Sequence, residues 1–138
     1  MKLVSAFSRT ISGRISAESE IREAARLTSL AFEAARMGAW HYDMASGRMT
    51  CTEELLALLG IDPNTYDGHL ASIERVIHPD DIDAWRKRHR SAFLPGERTE
   101  LEFRVVLPDG STRWLLSRGE LVLRFEGRAL ESYGVMID

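Results

Sequence analysis

Cys51 is the only cysteine in 138 residues, which excludes an internal disulfide and any metal site built on several thiolates. Long apolar runs are also missing. The longest that contains leucine runs from Leu55 to Ile61, far below the roughly 18 residues that a membrane span needs. A strong excess of either charge is missing too: a formal net charge of -3 and a pI near 5.8 give no general attraction to nucleic acid or to an anionic membrane. The basic stretch Arg86 to Arg90 lacks interleaved aromatics and reads as a solvated helix face. The histidines at 41, 69, 78 and 89 do not have the spacing of metal ligands. Glu53-Glu54 and Asp80-Asp81 are adjacent pairs, which diverge on a helix and make poor acid/base couples. There is no Gly-rich phosphate loop, cyclase signature or phosphoacceptor helix, so the chain is not expected to be an enzyme.

What remains is the composition of a one-domain globular protein, 44% hydrophobic and 28% charged, large enough to bury a core without staples. A lone cysteine fits a reducing, cytoplasmic setting. Residues 1–15 read as a flexible N-terminus, although Lys2, Arg9 and Arg14 among serines also resemble an organellar targeting composition. Ser16 followed by Glu18 and Glu20 predicts a helix start, and the helix is expected to run to Arg36. Ile21, Ala25, Thr28, Phe32 and Ala35 form one apolar line on it, and Leu27, Leu30, Ala34 and Met37 a second. Two lines suit two partners, one of them a second copy of the helix in a homodimer; a single wide face buried on its own domain is the alternative.

Gly38 is expected to end that helix, with Ala39 to Asp43 a half-buried strand and Met49-Thr50 a short return strand. Glu53 to Leu59 reads as a helix entered through Thr52 and left through Gly60. Asp62 to Gly68 is loop, and Leu70, Ile73, Val76 and Ile77 mark a brief helix. His78-Pro79-Asp80-Asp81 opens another helix, with Ile82, Trp85, His89 and Phe93 along one face and Pro95-Gly96 closing it. From Thr99 the period becomes two: a strand to Leu107, a turn at Pro108-Asp109-Gly110, a long strand from Ser111 to Phe125, a turn at Glu126-Gly127 and a last strand from Arg128 to Ile137. The expected class is α+β, a five-stranded antiparallel sheet with short helices on one face.

Several short motifs fall in one order along this frame: Gly38-Ala39-Trp40-His41-Tyr42-Asp43, Ser46-Gly47, Leu59-Gly60 and His78-Pro79-Asp80-Asp81, then Glu102-Phe103-Arg104, Pro108-Asp109-Gly110, Arg113-Trp114 and Gly134 to Asp138. In these the segment 37–138 resembles the PAS domains that pair a Gly-x-Trp strand with a His-Pro-Asp-Asp helix start, as found at the input of bacterial sensor histidine kinases. The resemblance implies a cytosolic sensory input that hands a signal to a two-component kinase, a cyclase or a similar output, and that dimerises through its leading helix. It also implies a ligand space between the short helices and the sheet, with Trp40, Ile82, Trp85, His89, Phe93 and Trp114 around it. Haem sensors of the superfamily take an axial histidine from the fourth helix, but that position falls on Trp85 and His89 lies one turn later. Flavin photochemistry of the LOV type needs an Asn-Cys-Arg thiol on the same helix; Cys51 lies elsewhere and reads as a small buried side chain. Neither cofactor is therefore expected. Family members end in an Asp-Ile-Thr type triplet that couples to the output. Only its aspartate, Asp138, is present, which makes it the signal exit and, without the rest, a frayed end. A ligandless interaction module with a filled core is the alternative reading, and a small α+β isomerase or cyclase a third.

Overall fold

The computed structural model describes residues 2–90, 96–124 and 129–138. It divides into a helical unit that ends at Ala34 and an α+β unit, Ala35–Asp138. The helical unit is α1 (Lys2–Ala34), a helix of about 50 Å by its rise per residue. It starts well before Ser16, so the expected N-cap is an interior residue and the lead-in 2–15 is helical. The physical reason is that no proline occurs before Pro63, and a single glycine, Gly13, costs a helix only about 1 kcal/mol.

The α+β unit runs β1 (Met37–Asp43), β2 (Arg48–Cys51), α2 (Glu53–Leu59), α3 (Leu70–Glu74), α4 (Ile82–Arg90), β3 (Arg98–Val106), β4 (Thr112–Arg124) and β5 (Ala129–Ile137). The strands form one antiparallel sheet in the order β2-β1-β5-β4-β3. The first strand thus lies beside the last, with Met37 opposite Ile137 and Gly38 opposite Met136. Beyond that pairing the Asp138 amide donates to the Arg36 carbonyl at 2.9 Å.

Gly38 does not end the helix as expected. Arg36 makes the turn, with a left-handed φ of 53°. Gly38 lies inside β1, where an added Cβ would overlap the backbone nitrogen of Leu55. Its missing side chain is what lets α2 lie directly on the strand. Thr52 behaves as predicted: its Oγ1 accepts from the Leu55 amide at 3.3 Å. The same oxygen accepts from the Ala39 amide at 3.1 Å, so one hydroxyl ties α2 to β1. Gly60 closes α2 in the left-handed region, with φ 71°. The α4 helix begins at Ile82, three residues after Pro79, because the Asp81 amide bonds back to His78 in a turn.

Leu55, Leu59, Ile73, Trp85, Phe103, Val105, Leu115 and Met136 fill the space between the helices and one end of the sheet's inner face. Burial of each such side chain contributes about 1.5–3 kcal/mol. The edge strand β3 is partly covered by the segment after α3: Val106 donates to the Val76 carbonyl and His78 to that of Arg104, both at 2.8 Å.

Candidate functional site

Side chains alternate across the sheet, so register decides what faces the helices. On β4 the inward set is Leu115, Ser117, Gly119 and Leu121; on β3 it is Thr99, Leu101, Phe103 and Val105, and on β5 Ser132, Gly134 and Met136. The inner face is therefore divided. Its Leu115–Phe103–Met136 end is packed, whereas its other end is built from Thr99, Ser117, Gly119, Ser132 and Gly134. Serine takes less space there than valine or leucine would, and the glycines admit a ring.

The Trp40 ring lies over the glycines. A Cβ on Gly119 would come within 2.6 Å of its Cζ2, and one on Gly134 within 2.7 Å of its Cε2. From the opposite side Trp85 of α4 meets Phe103 edge-on at 4.9 Å between ring centroids and is 1% exposed. Between the two indoles is a cavity with about 50 Å³ open to the centre of a water molecule, walled also by Met44, Leu101 and Leu121 and reached by Arg88 and His89. The indole nitrogens of Trp40 and Trp85 are both shielded from solvent, and among the described residues neither has a hydrogen-bond partner. Among the described residues Ser117 and Ser132 make no side-chain hydrogen bond either, while Thr99 Oγ1 donates to the Gly119 carbonyl at 3.4 Å.

Of the six residues expected around a ligand, Trp40, Trp85 and His89 line this cavity. Ile82 is half-buried against the core but stands outside the lining. Phe93 falls outside the described residues. Trp114 is misplaced by the expectation: it pairs with Arg104 on the outer face and is 57% exposed. Parity is the cause, since Leu115 points inward and its neighbour must point out. The Arg104 guanidinium lies 5.1 Å from the Trp114 ring centre. Thr99, Ser117 and Ser132 were missed, although the same period-two count places them on the inner face.

His89 keeps Nδ1 2.8 Å from the Trp85 carbonyl oxygen and its ring 4.2 Å from the Trp85 ring. Loss of water on that side holds its pKa below the usual histidine value, even though the residue as a whole is exposed. The Asp81 carboxylate, in the turn before α4, reaches β3. It accepts from the Arg104 backbone amide at 2.7 Å and from Nε and Nη2 at 3.0 Å, so the His-Pro-Asp-Asp and Glu-Phe-Arg motifs are one contact. The guanidinium bonds hold the Asp81 carboxyl below the usual range and raise Arg104.

Asp138 is not frayed. Its carboxylate accepts from Arg36 Nε at 2.8 Å and from Nη2, and Arg113 Nε lies 3.8 Å away. The β1–β5 pairing brings these groups together. Arg113 also donates to the Leu58 carbonyl at the end of α2, at 2.7 Å. On α1, Ile21, Leu27 and Leu30 are 69%, 61% and 52% exposed, Ala25 and Thr28 are exposed and Phe32 is half-buried. Ala35, the last residue of the expected seam, lies beyond the helix.

The two cofactors considered from sequence do not fit these residues. A flavin or haem ring system needs a pocket of at least roughly 300 Å³, against about 50 Å³ between the indoles. The one thiol, Cys51, is on β2 against the Tyr66 hydroxyl, 3.8 Å away, and burial pushes its pKa up to about 11. No helix among the described residues is long and apolar enough to cross a membrane.

Residues 48–136 match the family model described as PAS fold. A blue-light-activated histidine kinase from Brucella ovis is 31% identical over 88 residues, which are 64% of this chain and 18% of that protein. The chain thus spans less than a fifth of the length of the curated relatives with which it shares this identity. Among solved structures, a sensory box histidine kinase/response regulator from Burkholderia thailandensis superposes with a TM-score of 0.58 at 23% identity, covering 80% of this chain and 82% of that one. The N-terminal domain of a diguanylate cyclase with PAS/PAC sensor from Marinobacter aquaeolei gives 0.60 at 18% identity, over 74% and 94%. These structural likenesses speak for the fold.

Proposed function

The chain belongs to the PAS fold family, and from that premise we propose that it is the sensory input of a bacterial signal-transduction protein with a histidine kinase output. It holds a small ligand between α4 and the sheet and dimerises through α1. One observation carries the ligand half of this reading: the inner sheet face is packed at one end but small and hydroxylated at the other, where two buried indole N–H groups are without partners among the described residues. A closed core has no use for such a surface, because an unpaired buried donor costs about 1–3 kcal/mol. The kinase half is supported by the relatives' names and by the share of the chain they match. The dimer half is supported by the exposed Ile21, Leu27 and Leu30 on a long helix, since isolated helices in water gain little from propensity alone.

Extraction of freshly purified protein with denaturant, followed by mass spectrometry, tests the first part; a stoichiometric small molecule is expected. For the second, light scattering should show a dimer that Phe32→Glu shifts toward monomer with the α+β unit still folded. A wild type that is monomeric at high concentration would remove the α1 seam. A ligandless interaction module is the second reading, and the small cavity volume favours it; a clean extract together with an intact dimer would select it.

A further inference from the structure

We propose that Arg36 is a latched hinge: Asp138, at the end of β5, holds its backbone in the left-handed region, and loss of that grip lets the turn ahead of β1 relax. Glycine occupies every other left-handed position among the described residues, at 47, 60, 68, 96 and 110. Arginine with a φ of 53° is the exception. An L side chain crowds the backbone there and lowers the population about tenfold, a penalty that glycine escapes. Strain of this kind persists only where the surroundings over-determine it. The surroundings here are Asp138. Its amide donates to the Arg36 carbonyl at 2.9 Å, and its carboxylate accepts from Arg36 Nε at 2.8 Å and from Nη2. Backbone and side chain of one residue are thus held by backbone and side chain of the other. A glycine would remove the strain but also the guanidinium, which is a physical reason for arginine at this turn.

Arg113 braces the same carboxylate from β4, with Nε 3.8 Å away, while its Nη1 donates to the Leu58 carbonyl of α2 at 2.7 Å. The latch therefore touches a core helix as well as β1 and β5. Magnitudes decide that it can open. A backbone hydrogen bond is worth roughly two- to tenfold net. An exposed ion pair adds up to about fivefold, and the Arg36 side chain is 62% exposed. Together they reach at most about fiftyfold, against about tenfold of strain. So near a balance makes a two-state element that a pull on the end of β5 can tip, and by linkage a change ahead of β1 loosens Asp138 to the same degree. For its purpose the latch rests on the sensory reading above, where it couples the two ends of the domain, but its opening needs no ligand.

In protein labelled with ¹³C and ¹⁵N, the sign of φ at Arg36 is read from its three-bond HN–Hα coupling, its intraresidue HN–Hα NOE and its Cα and Cβ shifts. Wild type should report the left-handed value. Asp138→Ala removes the carboxylate and keeps the backbone bond, which at about tenfold or less no longer outweighs the strain, so at least about half of Arg36 should move to right-handed values. Sodium chloride at about 1 M should move wild type part of the way, since the pair is open to screening. Arg36→Gly makes the turn without strain or charge, so adding Asp138→Ala to it should leave the amide shifts of Ala34 and Ala35 in place. An Arg36 that stays left-handed in Asp138→Ala overturns the latch, because the turn then holds itself. Movement of the Ala34 and Ala35 shifts by Asp138→Ala that is the same with and without Arg36→Gly overturns it too, as the effect of Asp138 would then bypass Arg36. Neither result touches the sensory reading, which the search for an extracted small molecule tests separately.

Discussion

Replacing Thr52 by alanine should cost the α+β unit about 2–3 kcal/mol of stability. The Thr52 hydroxyl oxygen accepts from two backbone amides, Leu55 at the start of α2 and Ala39 within β1. Loss of a threonine cap costs about 1 kcal/mol. The Ala39 amide is part-buried inside the sheet and left without its acceptor, which adds about 1–2 kcal/mol. For a unit of roughly a hundred residues, Tm should fall by about 10–20 °C. Thr52→Ser keeps the oxygen and gives up one methyl, so it should stay within about 1 kcal/mol of wild type. Urea unfolding of the three proteins measures the totals, and hydrogen exchange of the Ala39 and Leu55 amides assigns them. Both amides should lose protection in the alanine variant and keep it in the serine variant. An alanine variant as stable as wild type, or a serine variant as weak as alanine, refutes the reasoning that this one oxygen joins helix to sheet.

Gly38→Ala should force α2 off β1, because the new methyl overlaps the Leu55 backbone; a loss of at least about 2 kcal/mol in urea unfolding is expected. Stability should also fall with acid in two steps. His89 has a depressed folded pKa, so its contribution is complete above the ordinary value of 6.5 and is lost as pH falls below that; His89→Gln should flatten this limb. The Asp81 carboxyl is depressed too, which places its loss below the ordinary 3.8, and Asp81→Asn should remove that lower step from urea midpoints measured against pH. With a pKa of about 11, the Cys51 thiol should react with iodoacetamide at pH 8 roughly a hundredfold more slowly than a free cysteine, and urea should restore the rate.

The features that chemistry imposes locally were legible in the sequence. Thr52 and Gly60 marked both ends of α2 because capping is a property of a few consecutive residues. The alternation in β3 revealed a strand with Phe103 and Val105 inward. Features that depend on distant residues were not. Gly38 looked like a helix stop, since nothing nearby says that Leu55 will press on it. Asp138 looked loose because Arg36, its partner, is 102 residues away in the chain. Trp114 looked like a pocket residue from its size; strict attention to parity with Leu115 would have turned it outward and drawn Ser117 in. Register converts such a count into a face, and it is fixed by tertiary pairing.

The placement of β1 beside β5 bears on how the domain can be joined to others. Its two ends share a backbone hydrogen bond, Asp138 to Arg36, so segments joined to them would leave from one spot. A domain of this kind can be spliced into a continuous helix pair, or exchanged for another of the same topology, without moving the flanking segments apart. It follows that a circular permutant of residues 35–138, closed by a short glycine linker across that junction and reopened at the Asp109-Gly110 hairpin, has no distance to bridge and should fold.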